Sequence, residues 1–297
     1  MSVYTLCTST KCRLCTTPVV SLPLLPHNPP PSPLPISTRP TSSRWNKLRE
    51  FCLPKPDLKH LRILLHGPVG TGKSSFINSI NNVFQGMQGA LVTTDSAFSF
   101  TKKVSGNSGY LPFVVNDVMG LEKGNSAGAQ PSDIISALKG HVKDNYKFNP
   151  DSPLSVGDAD YITSPTLNDQ VHCLVSVIPM DKISIMDDDV LNKMQAIREA
   201  PYSNIILPET FELMQIFMTM VDKACPVVMK DLRKIYFSKK IKEMMQRCSN
   251  RLGVPMNCIF PVKNYHEKTD LDQEMDCLIL TALRQIVHFA HECIDSR

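Results

Sequence analysis

The sequence predicts an α/β fold, a mainly parallel sheet with helices on both faces, and two observations carry that prediction. Short apolar runs alternate along the chain with helical stripes, the pattern of repeated strand–helix units. Between the first run and the first stripe lies a glycine-rich turn ending in Lys-Ser, Gly67-Pro68-Val69-Gly70-Thr71-Gly72-Lys73-Ser74.

Taken in order, Ile63-Leu64-Leu65 reads as a buried strand, and Phe76, Ile77, Ile80, Val83 and Phe84 follow at helical spacing. Phe113-Val114-Val115 and Cys173–Ile178 give two further strands. Asp187-Asp188-Asp189 opens a helix where acids suit the positive end of the dipole, with Val190, Leu191, Met194 and Ile197 as its stripe. Leu213–Thr219 is the next strand. Ile241, Met244, Met245, Cys248 and Leu252 form a helix face closed by Gly253, a C-cap residue. Ile259-Phe260 is a last strand, and Ile279, Leu283, Ile286, Val287 and Ala290 a final helix.

Two stretches fall outside this alternation. Residues 1–43 hold nine prolines and little apolar periodicity, so they cannot bury enough surface to offset chain entropy and read as a disordered tail. Within it Pro23–Pro26 and Pro30–Pro33 fit P-x-x-P, the spacing of an SH3 ligand, although a Pro-rich tail produces that spacing by chance. The folded domain then runs over 44–297, with an insertion at about 121–170. There Ser132, after Pro131, is expected to cap a helix through Ile134, Ile135, Leu138 and Val142. A long insertion beside a mobile loop serves as a lid or partner surface, or simply packs on the sheet.

Composition excludes some classes. Net charge is +4, of which residues 1–54 carry +5, leaving a near-neutral body without the clustered Lys and Arg of a nucleic-acid surface. No unbroken apolar run approaches the ~20 residues of a membrane span. The ten cysteines lack framework spacing and suit reduced cytosolic thiols. Cys12 and Cys15 form a lone C-x-x-C without a second ligand pair, the only nearby candidate being His27.

The turn at 67–74 matches G-x-x-x-x-G-K-[ST] in full, and its strand–loop–helix setting is that of a P-loop. Glycines let successive N–H groups point at phosphate oxygens, and the helix start adds a dipole that favours anions. Gly67, Val69, Gly70, Thr71, Gly72 and Ser75 are therefore expected to line bound phosphates. Lys73 is expected to bridge the β- and γ-phosphates, and Ser74 to place its hydroxyl on Mg²⁺.

Later elements address which nucleotide. Leu91-Val92-Thr93-Thr94 offers a threonine, Thr94 by preference, that could hold Mg²⁺ as switch loops of GTPases do. Asp117-Val118-Met119-Gly120 is a D-x-x-G at a strand end, placing Asp117 near the metal and Gly120 near the γ-phosphate. Leu121 stands where Ras-like enzymes carry a water-positioning Gln, so hydrolysis is expected to be slow. Thr219-Met220-Val221-Asp222 keeps the first and last positions of [NT]-K-x-D, whose aspartate reads guanine, but replaces the lysine by Met220. Lys263 follows the last strand, where GTPases carry a turn that touches the base. This order predicts a Ras-like G domain binding GTP (or GDP) with Mg²⁺. A P-loop ATPase, and a nucleotide-stabilised scaffold without turnover, remain alternatives.

From about Trp45 to the C-terminus the sequence resembles the interferon-induced protein 44 and 44-like family. The resemblance rests on Arg62–Leu65 into the P-loop, the "VFQG" of Val83–Gly86, Tyr110–Phe113, Asn145–Pro150, Asp160–Pro165, His172-Cys173 and T-x-V-D at Thr219–Asp222. It implies a cytoplasmic GTP-binding protein of innate antiviral defence with unidentified protein partners. It carries nucleotide roles to Lys73, Ser74, Asp117, Thr219 and Asp222. Residues 1–43 are too short and Pro-rich for the TLDc-type domain that precedes the GTPase in some members.

Overall fold

The first strand, β1 (Leu61–His66), is buried along its whole length, as a strand is when both faces of its sheet are covered. The computed structural model describes residues 48, 51–85, 101–106, 109–124, 127–200, 214–266 and 272–295. With β1 stand β2 (Thr101–Gly106), β3 (Gly109–Asp117), β4 (Cys173–Pro179), β5 (Met214–Thr219) and β6 (Ile259–Pro261). Their spatial order is β2-β3-β1-β4-β5-β6. β3, β1, β4, β5 and β6 run parallel, and β2 pairs antiparallel with β3 at the edge. The expected mainly parallel α/β sheet is thus borne out, and β4 and β5 are buried throughout like β1.

The helices are α1 (Lys73–Gln85), α2 (Pro131–Leu138), α3 (Asp188–Glu199), α4 (Val221–Ala224), α5 (Pro226–Lys230), α6 (Lys239–Leu252) and α7 (Gln273–Asp295). α1 and α7 pack together, α7 lying against β1 and β4. The stripe read from the sequence explains the seat of α1: Phe76 meets Phe217 of β5 at 4.5 Å between ring centroids, and Phe84 meets Phe113 of β3 at 6.4 Å. α3 packs with α2 and α6, and α6 reaches β6. Asp187 caps α3 by accepting from the Asp189 N–H at 3.0 Å, and Gly253 closes α6 in the left-handed region at φ 69°.

Four details depart from the sequence reading. α2 starts at Pro131 with Gln130 as its N-cap, so Ser132 lies inside the first turn and caps nothing. It ends at Leu138, and Val142 instead forms an antiparallel bridge with Tyr161. β2 was not anticipated, because Thr-Lys-Lys-Val-Ser-Gly carries no apolar run or alternation; its backbone bonds to β3 make it a strand. Finally, α7 is long and apolar enough to cross a membrane by length and composition, although 61% of its apolar window is buried inside the fold. Charged residues break its apolar run in the sequence. The Pro-rich tail, Trp45, Thr93 and Thr94, and Leu213 all lie outside the described residues.

The chain between α2 and β4 is anchored at the start of β1, not over the P-loop at its end. Arg62 donates through Nε to the Asn168 carbonyl at 2.6 Å and through Nη1 to Asp144 at 2.7 Å. The Arg62 N–H donates to His172 Nδ1 at 2.8 Å, which puts the ring proton on Nε2, 2.9 Å from the Leu167 carbonyl.

Candidate phosphate-binding site

β1 ends at His66, and the chain turns through Gly67–Gly72 directly into α1. Gly67, Gly70 and Gly72 take φ values of 140°, 75° and 89°, which L side chains rarely adopt. At Gly67 space matters as well, since a Cβ there would stand 2.3 Å from the Val177 carbonyl oxygen of β4. The turn therefore sits at the carboxyl ends of β1 and β4. The chain leaves β1 toward β3 and leaves β4 toward β5, which makes this the switch point where open α/β sheets bind ligands.

Within the turn, Thr71 Oγ1 donates to the Pro68 carbonyl at 3.0 Å. Lys73 Nζ donates to the carbonyls of Gly67 at 3.1 Å and Pro68 at 3.0 Å. Lys73 is buried, and burial pulls its pKa down to about 8 against the opposing pull of Asp117. At neutral pH the ammonium stays charged beneath the loop. Phe76 donates its N–H to the Gly72 carbonyl at 2.9 Å; the N–H groups before it start a helix and have no intrahelical acceptor. No acidic residue stands in the first turn of α1 to neutralise that end, so the loop suits an anion.

Ser74 Oγ donates to Asp117 Oδ2 at 2.7 Å. Asp117 is the last residue of β3, paired in register with Leu65 of β1, so both oxygens stand at the same edge of the sheet. A hydroxyl and a carboxylate are hard oxygen donors that fit Mg²⁺, an ion that completes its shell with phosphate oxygens and water. Among the described residues no group of three or more His, Cys, Asp or Glu could hold a metal unaided. A cation here would depend on the phosphate.

The D-x-x-G stretch folds back onto the loop. The Leu121 N–H donates to the Gly67 carbonyl at 3.0 Å, and the Val69 N–H donates to the Leu121 carbonyl at 3.2 Å. Val69 thereby spends its amide within the protein, and its side chain stands 57% exposed at the rim. Gly120 lies flat on Val69, where a Cβ would come within 2.4 Å of Val69 Cγ2. Leu121 itself is buried. His66, a residue the sequence reading passed over, is buried beside Lys73. Burial first and Lys73 second push its pKa down to about 3, so the imidazole is neutral and hydrogen-bonds Ser176 Oγ at 2.5 Å.

The far end of the turn meets β5 and β6. Thr219 Oγ1 donates to the Thr71 carbonyl at 2.7 Å, and Asn264, a second residue not anticipated, donates through Nδ2 to the Gly72 carbonyl at 2.9 Å. Met220 is left-handed at φ 58°, one of two such non-glycine residues among those described, a conformation costing about 1–2 kcal/mol. Asp222 follows in α4, with Oδ2 3.4 Å from Lys263 Nζ. Gly72, Ser75, Met220, Asp222, Lys263 and Asn264 line one cleft. Beyond Lys263 a wider hollow of about 360 Å³ opens between Val228–Arg233 and Asp272–Met275. Of the expected site residues only Lys263 borders it.

Every expected residue within the described chain thus converges on the carboxyl edge of the sheet. The signal for Asn264 was its place directly after Lys263; His66 carried none.

Comparison with known proteins finds no matching family model. The chain is similar to mouse interferon-induced protein 44, 30% identical over 263 residues, covering 86% of this chain and 60% of that protein. It is 31% identical to human interferon-induced protein 44 over 246 residues, 80% of this chain and 54% of that protein. Human interferon-induced protein 44-like is 32% identical over 251 residues, 82% and 54% respectively. The chain thus spans a little over half the length of the curated relatives it matches.

Proposed function

We propose that this chain, a relative of the interferon-induced protein 44 and 44-like proteins across most of its own length, binds GTP or GDP with Mg²⁺ and acts in interferon-induced antiviral defence in the cytoplasm. The observation that carries the nucleotide reading is the Ser74–Asp117 hydrogen bond of 2.7 Å at the foot of a glycine turn with a buried ammonium. Phosphates supply the anion that the turn's N–H groups and Lys73 suit. Mg²⁺ supplies charge neutralisation, with Ser74 and Asp117 as its protein oxygens. Asp222, in the cleft beyond Gly72, is the acceptor for guanine N1–H and the 2-amino group; adenine offers it no such pair.

Hydrolysis is slow or absent in this reading, because the Leu121 side chain is buried and has no polar atom with which to orient water, and its backbone N–H and carbonyl are bonded to Gly67 and Val69. That observation favours a second reading, a nucleotide-stabilised interaction module without turnover. Phosphate release separates the two: turnover no greater than that of Lys73→Ala leaves the module. Calorimetry with GTP and ATP tests the base, and tighter ATP binding would overturn guanine recognition by Asp222 in favour of an ATPase.

A further inference from the structure

The loop after Asp117 is held from two sides. On one side Leu121 exchanges backbone hydrogen bonds with Gly67 and Val69, forming a parallel bridge with Pro68. On the other stands Lys193, a lysine in the middle of α3 that is only 8% exposed. Its ammonium donates to the Glu122 carbonyl at 2.8 Å and to the Gly124 carbonyl, with Asp189 Oδ2 at 3.6 Å. The two carbonyls take two of the ammonium's three donors, and the Asp189 carboxylate balances its charge as an ion pair. Asp189 takes part from both ends, because its Oδ2 also accepts from the Gly124 N–H at 3.0 Å. Lys123 adds an exposed pair with Asp187 at 3.1 Å, the sort of contact that contributes little by itself.

A buried lysine is kept only where its charge is paired and hydrogen-bonded. Here the acceptors are main-chain carbonyls, which fix the path of the backbone whatever side chains it carries. On the opposite side Gly120 rests on Val69 and Leu121 is buried, so the loop has no slack toward the P-loop either.

We infer that Lys193 is a positioning residue that clamps the 120–124 loop onto the P-loop from α3, holding the phosphate site in a single arrangement. A loop so held does not rearrange with the γ-phosphate. The consequence for nucleotide rests on the proposed function; the clamp itself does not. Loading state is then reported elsewhere than at this loop.

The test is hydrogen exchange on the full chain. Without nucleotide, the amides of Val69 and Leu121 exchange slowly in the wild type. Lys193→Met speeds both at least about tenfold, the worth of a hydrogen bond to a charged group, while Leu64 and Leu65 of β1 are unchanged. Lys193→Arg, which keeps a cation, restores most of the protection. Should Lys193→Met fail to fold, Asp189→Asn is read in its place with the same expectation. With Mg²⁺ and either GDP or a non-hydrolysable GTP analogue, protection over 120–124 is the same. Exchange at Leu121 that matches an exposed loop amide, or that neither variant changes, overturns the clamp. A difference between the two nucleotides overturns the single arrangement. If neither nucleotide binds, the proposed function fails, while the first measurement still decides the clamp.

Discussion

Ser74 Oγ lies 2.7 Å from Asp117 Oδ2, across 43 residues of sequence, so the first turn of α1 and the end of β3 present their oxygens as a pair. If that pair serves Mg²⁺, the metal dependence of nucleotide affinity belongs to it. Asp117→Asn is expected to weaken Mg²⁺-supported GTP binding about 10- to 100-fold and to leave the residual binding unaffected by EDTA. Titrations with and without chelator measure this, and a variant that keeps its full response to Mg²⁺ would contradict it.

Thr219 acts at the other end of the loop, where its hydroxyl holds the Thr71 carbonyl at 2.7 Å in a buried setting. Thr219→Val keeps the shape and removes the donor. Leaving a buried carbonyl without its bond costs about 1–3 kcal/mol. Urea unfolding followed by circular dichroism should show the midpoint fall with an unchanged slope.

The lowered pKa of Lys73 sets a pH dependence whose sign can be worked out. Folding moves the group from 10.5 to about 8, so between those values the unfolded chain binds more protons. Stability from this group therefore rises with pH through that window, and its cost, about 3 kcal/mol, is fully present below pH 8. Measured as the difference between wild type and Lys73→Met, stability should converge as pH rises from 7 to 10. An anion requires the charged ammonium, so nucleotide affinity should hold below about pH 8 and fall above it. Affinity that rises through this range would contradict the role of Lys73.

Asp222 and Lys263 form an ion pair of 3.4 Å in the cleft beyond Gly72. Asp222→Ala should cut the preference for GTP over ATP about tenfold or more, the worth of hydrogen bonds to a charged acceptor, with little loss of ATP affinity. Competition binding measures the ratio. An unchanged ratio would move base recognition away from Asp222.

The sheet was legible because buried parallel strands are continuous apolar runs and the helices over them keep one apolar stripe. Asp187 and Gly253 announced their helix ends by residue type, because an Asx acceptor and a left-handed cap each need particular side chains. β2 stayed hidden for the opposite reason: its polar residues become a strand only through bonds to β3. At the site, Gly67–Ser74 could be read directly, since the loop's geometry demands glycines at fixed places. Lys193 could not. On an amphipathic helix a lysine reads as solvated, and its burial depends on carbonyls of Glu122 and Gly124 supplied some seventy residues earlier. For Asn264 the sequence offered only its place directly after Lys263, since its acceptor at Gly72 lies 192 residues away.

The most direct measurement is calorimetric titration of GTP with Mg²⁺ into the wild-type chain and into Lys73→Ala, both checked for folding by circular dichroism. The wild type is expected to bind one nucleotide with an affinity that Mg²⁺ increases, and Lys73→Ala to show no measurable heat. Equal binding by the two proteins, or no binding by a folded wild type, would contradict a phosphate site at Gly67–Ser74.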